Sequence, residues 1–216
     1  MYPEIKKYTE EFNVTLVAVS KTKSVADILT LYDRGQRIFG ENKVQELDEK
    51  YQQLPKDIHW HLIGHLQKNK VKYIASFVSM IQSADSLELL LVINKEAEKH
   101  QRIIPVLLQF HITRETSKFG LDLDKAKDLI DHLQNSPLKN ILICGVMGMA
   151  SLSDEQELIR IEFKRLKEIY DTLKNEYFRN DETFREISMG MSGDYKLAIA
   201  EGSTMVRIGS AVFGGR

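Results

Sequence analysis

The stretch Val14-Thr15-Leu16-Val17-Ala18-Val19-Ser20-Lys21-Thr22-Lys23 is an apolar strand that delivers lysine at its exit. A run this continuously apolar suits a parallel strand covered on both faces, whereas a half-exposed antiparallel strand would alternate. Further strand candidates are Arg37 to Phe39, Trp60 to Ile63, Phe77 to Gln82, Val106 to Phe110, Ile141 to Val146, Glu186 to Ser188 and Met205 to Ile208. The fifth strand is placed just after Pro105, which has no amide hydrogen to give a ladder.

Helical patterns separate these strands. Ser153-Asp154-Glu155-Gln156 has the form of a capping box, and Ile159, Phe163, Leu166, Tyr170 and Leu173 then recur on one face. Ser24 is placed to cap a helix with a stripe of Val25, Ile28, Leu29 and Tyr32, and Gly35 to stop it. Asp122 opens a helix whose buried face is Leu123, Ala126, Leu129, Ile130 and Leu133. Eight alternations leave about 27 residues per unit, which predicts a single-domain (β/α)8 TIM barrel over residues 1–216. A doubly wound open sheet is the competing arrangement. After Ile208 the chain is too short for a full helix, so Pro3 to Phe12 is expected to supply an N-terminal helix that closes the ring.

Composition narrows the function classes. Thirty basic residues nearly cancel 31 acidic ones, so no global field gathers nucleic acid or an anionic membrane. No apolar run approaches membrane-spanning length, and the single cysteine, Cys144, lies in an apolar strand and fits a reducing compartment. The expectation is a cytoplasmic protein with a buried, inert thiol.

In a barrel of parallel strands the chemistry gathers at the strand exits. The first exit carries Lys21 and Lys23, the second Asn42, the sixth Met147, the seventh Ser192 and the eighth Arg207, Gly209 and Ser210. Glycines beside serines after strands seven and eight offer backbone amides and hydroxyls suited to a phosphate. An amine facing a phosphate cradle suits a phosphorylated aldehyde held as a Schiff base. Residues two apart on a strand share a face, so this reasoning does not choose between Lys21 and Lys23.

These segments carry a family resemblance. Ala18-Val19-Ser20-Lys21-Thr22-Lys23, Phe39-Gly40-Glu41-Asn42, Trp60 to Lys70, Ser117-Lys118-Phe119-Gly120, Met189-Gly190-Met191-Ser192 and Gly202 to Gly209 together resemble the pyridoxal phosphate homeostasis proteins, relatives of the barrel domain of bacterial alanine racemases. The resemblance implies pyridoxal 5′-phosphate (PLP) on Lys21, Arg207 at the pyridine nitrogen, Ser192, Gly209 and Ser210 at the phosphate, and Asn42 near the cofactor. An arginine at the ring nitrogen disfavours pyridinium formation and weakens the ring as an electron sink. The related racemases also use an acid-base residue from a further β domain, which is not expected within these 216 residues. The implied role is therefore storage, protection and delivery of PLP inside the cell by a monomer, with PLP-dependent apoenzymes as recipients. Alternatives are a weak PLP-dependent racemase, a Schiff-base aldolase and a non-catalytic scaffold.

Other features read more plainly. His59 and His61 share strand spacing, but no third ligand stands at a recognisable distance for a metal, and His61 reads better as a neighbour of the cofactor. Met147, Met149, Met189 and Met191 suit a soft pocket or simple core filling equally. Lys68-Asn69-Lys70-Val71-Lys72 reads as a solvated helix start.

Overall fold

A computed structural model of the chain describes residues 1–113 and 119–214. In order these form α1 (Tyr2–Glu11), β1 (Thr15–Val19), α2 (Val25–Tyr32), β2 (Ile38–Glu41), α3 (Val44–Gln53), β3 (His59–Leu62), a 3-10 segment (Lys68–Tyr73), β4 (Met80–Ala84) and α4 (Leu87–Lys99). The second half contains β5 (Ile104–Phe110), α5 (Leu123–Asn135), β6 (Ile141–Gly148), α6 (Gln156–Glu176), β7 (Glu186–Ser188), α7 (Tyr195–Ala200), β8 (Met205–Ile208) and α8 (Ser210–Phe213). The strands close into a barrel in sequence order, which rules out the open sheet. Closure runs through parallel pairing of β1 with β8, from Thr15 opposite Met205 to Ala18 opposite Ile208.

Alternation along each strand sorts side chains between two cores. On β5, Val106, Leu108 and Phe110 join the main core against the helices, while Leu107 joins Cys144 and Met147 in a separate cluster inside the barrel. Burial pushes the Cys144 thiol up to about 11, so it is inert at neutral pH. Ser24 caps α2 through a capping box with Asp27, and Asp122 caps α5 by accepting from the Lys125 N–H at 2.8 Å. The α1 helix packs on β1 and α8, with Tyr8 edge-on to Tyr195 and the Tyr2 hydroxyl donating to Gln36 Oε1 at 3.2 Å. It fills the helical layer, while the ring itself is sealed by strand pairing.

Several boundaries differ from expectation. Pro105 lies within β5 opposite Leu142, because pairing on the β4 side begins only at Val106 and leaves one side of the proline without a strand to bond. The α6 helix starts at Gln156 without a side-chain cap; Ser153 instead accepts from the Glu155 N–H in a local turn. Phe77 precedes β4 and stacks on Tyr51 at 3.8 Å, so this aromatic residue serves helix packing rather than the sheet. Lys68 to Lys72 belong to the 3-10 segment rather than an α-helix.

Candidate cofactor site

The strand exits open into a cavity of about 710 Å³ whose walls include Lys21, Asn42, Ser192, Arg207, Gly209 and Ser210. Met147 is fully buried in the barrel-interior cluster and is not among the lining residues; Met149 and Met191 line the wall instead. Ser117 and Lys118 lie outside the described residues.

The strand-face argument for Lys21 and Lys23 does not apply, because β1 ends at Val19 and both lysines sit in the following turn. Both reach the cavity, but their surroundings differ. Lys23 Nζ donates to the Gly214 carbonyl at 3.3 Å and lies 5.8 Å from the centre of the Phe213 ring. Among the described residues the exposed Lys21 amine makes no hydrogen bond and no ion pair, which leaves it available to a ligand.

Arg207 rises from inside β8 and is only 4% exposed. Its guanidinium donates to Ser188 Oγ at 2.6 Å and to the Gly148 carbonyl at 2.9 Å, which aims the planar group from β8 across to β6 and β7. Burial lowers its pKa to about 10, so it stays a cation at neutral pH. Because a guanidinium can only donate, the bonds behind it have one polarity. The Ser188 hydroxyl donates to Gln82 Oε1 at 2.7 Å, and Gln82 Nε2 lies 2.9 Å from His61 Nδ1. His61 is thereby the acceptor and holds its proton on Nε2. Its pKa is lowered to about 3, by burial first and the nearby His59 second, so it is neutral. His61 joins the site through this relay rather than by lining the cavity. His59 is exposed at the strand start, and no metal-binding group of three ligands occurs among the described residues.

Beside the lysines, at the exit of β8 that pairs with β1, lies a set of donors. Gly190 turns the chain after β7 at a φ of 95°, which a side chain would obstruct because a Cβ there would stand 2.5 Å from Ala198 Cβ. The turn brings Ser192 Oγ to 3.3 Å from the Gly209 N–H nitrogen and 3.5 Å from that of Ala211. Two backbone donors thus converge on one small oxygen at lengths beyond the usual 2.9–3.0 Å, an arrangement that suits a larger anion such as a phosphate. Primary amine, buried cation and converging amides share one opening, which fits an aldehyde, a ring nitrogen and a phosphate of a single cofactor.

Sequence reading missed the relay through Gln82 and Ser188, as well as Gln109, which lines the cavity while only 6% exposed. His65 and Phe119, which the sequence reading carried only within family segments, stack 4.0 Å apart and line the cavity.

Comparison with known proteins gives the same direction. Residues 2–216 match the family model for the alanine racemase N-terminal domain. The chain is 37% identical over 202 residues to a pyridoxal phosphate homeostasis protein of Aquifex aeolicus, covering 93% of this chain and 86% of that one. It is 35% identical over 218 residues to the protein of the same name from Schizosaccharomyces pombe, covering 99% and 89%. The structure of PipY from Synechococcus elongatus with PLP bound superposes with a TM-score of 0.87 at 32% identity, covering 99% of both chains. An alanine racemase of Clostridium difficile shares the fold at a TM-score of 0.76 and 13% identity, and this chain spans 58% of it. The chain therefore belongs to the alanine racemase N-terminal domain family, in the branch of the pyridoxal phosphate homeostasis proteins.

Proposed function

We propose that this protein binds PLP in the barrel mouth and serves its intracellular homeostasis, as storage and as a source for PLP-dependent apoenzymes. Lys21 would hold PLP through its aldehyde as a reversible Schiff base, with release of water; Arg207 would serve the pyridine nitrogen, Ser192, Gly209 and Ser210 the phosphate, and Asn42 would stand near the cofactor. Bound PLP supplies a reactive aldehyde and an electron-accepting ring; the fixed Arg207 cation keeps that ring nitrogen unprotonated and so favours a carrier over a racemase. The observation that carries this reading is that Lys21, Arg207, Ser192 and Gly209 line one cavity. Relatives at 35–37% identity bear the homeostasis name, and a neighbour was solved with PLP bound. In this reading the protein acts as a cytoplasmic monomer. Among the described residues no helix is long and apolar enough to cross a membrane.

The decisive experiment is an absorbance spectrum of the purified protein with PLP, followed by borohydride reduction and peptide mapping. A yellow protein with the pyridoxyl group on Lys21 is expected. Label on Lys23 alone, or a protein that stays colourless with excess PLP, would overturn the assignment.

A further inference from the structure

The two peptide groups that flank Lys21 are both held by side chains of α3. The Ser20 carbonyl, in the peptide before Lys21, accepts from Lys50 Nζ at 2.7 Å. The Thr22 N–H, in the peptide after Lys21, donates to Glu46 Oε1 at 2.6 Å. These two side chains pair with each other, as Lys50 Nζ stands 2.7 Å from the same Glu46 oxygen. A third contact anchors the set: Lys50 Nζ lies 2.7 Å from Glu41 Oε1, which also accepts from the Ser20 hydroxyl at 2.6 Å. Lys50 and Glu41 are 6% and 0% exposed, so water competes little for these bonds.

The grip coincides with unusual backbone. Thr22 has a φ of 63°, a left-handed conformation that a β-branched residue adopts only when its surroundings impose it. The Glu46 carboxylate bonds the N–H of that very residue. Burial acting on Glu46 is outweighed by its hydrogen bonds to Lys50 and Thr22, and its carboxyl is held below the ordinary range. It is therefore a charged acceptor across the neutral range, the stronger kind of partner for a backbone amide.

We propose that Glu46 and Lys50 are positioning residues for Lys21, holding the turn in its left-handed form so that the amine meets an incoming aldehyde already oriented. This rests on the reading of Lys21 as the capture group. Neither residue touches the ligand in this scheme. Their effect is on the rate of capture, because a lysine on a relaxed turn must find its attack geometry anew for each encounter.

Stopped-flow capture of PLP by the full-length protein tests this in Lys21→Ala, Glu46→Ala, Glu46→Gln and the double variant Glu46→Ala with Thr22→Gly. Glu46→Ala should slow capture roughly tenfold or more. Glu46→Gln keeps an acceptor for the Thr22 N–H and should remain within about threefold of the parent. The double variant should recover much of the lost rate, since glycine adopts the positive φ without help. Wild-type rates in Glu46→Ala, or a loss that glycine at position 22 does not relieve, would overturn the clamp even with Lys21→Ala inactive. Undiminished capture by Lys21→Ala would instead sink the underlying assignment. If Glu46→Ala does not fold, Glu46→Gln decides alone: a tenfold loss there refutes the role of the acceptor.

Discussion

His61 is held neutral inside the barrel, and this has a measurable pH signature. Its folded pKa of about 3 lies below the ordinary 6.5 because burial disfavours the imidazolium. A depressed folded value means that the contribution to stability is complete above pH 6.5 and is lost as pH falls toward 3. One proton is at stake, so the slope from this group approaches about 1.4 kcal/mol per pH unit in that window. Urea unfolding at stepped pH should show a shallower acid decline in His61→Gln than in the parent. An unchanged slope would show that His61 is not the proton acceptor. The lysines at the exit of β1 were legible because a cation at the end of an apolar strand is anomalous, whereas the preference for Lys21 over Lys23 and the role of Arg207 came from the family resemblance. Gln82 and Ser188 were not, since a neutral polar side chain near a strand end carries no mark of what lies across the barrel. Lys50 did leave a signal: it follows Val44 and Leu47 at spacings of three, on the buried side of α3.

Strands and helices were legible where one physical demand dominated. All eight strands were located, β1 and β6 most plainly from near-continuous apolar runs, and the caps of α2 and α5 followed from Ser24 and Asp122. Boundaries slipped where local chemistry had a tertiary competitor, as when Phe77 stacked on Tyr51 instead of entering β4. Loss of the Ser24 hydroxyl in Ser24→Ala should cost about 1 kcal/mol, read from the denaturation midpoint. The pairing of β6 with β7 is a sharper test. Gly145 has a φ of 150°, and a Cβ there would stand 1.9 Å from the Glu186 carbonyl oxygen on the neighbouring strand. Gly145→Ala should therefore destabilise by about 3 kcal/mol or more, because backbone rather than a flexible side chain must move. A loss below about 1 kcal/mol would contradict the close approach of these strands.

The barrel as a body has no free strand edge, since β1 pairs with β8 directly. The N-terminal helix contributes cover rather than closure, burying Tyr2 and Ile5. Deleting residues 1–12 should leave the strand ladder intact and cost about 3–5 kcal/mol of stability by urea titration. The eightfold alternation and the gathering of chemistry at one end were readable because both follow from chain order. The depth of Met147 was not, because the alternation of strand faces is interrupted in β6, where the register against β5 shifts after Val106.

The seclusion of Lys50 among two carboxylates has a practical outcome. Amine-directed acylating reagents react with the neutral form of amines they can reach from solvent, so the exposed lysines should be modified first and this one spared while the chain stays folded. Mass spectrometry of its peptide after brief treatment with acetic anhydride would then act as a native gauge of intactness, with no dye or tag attached.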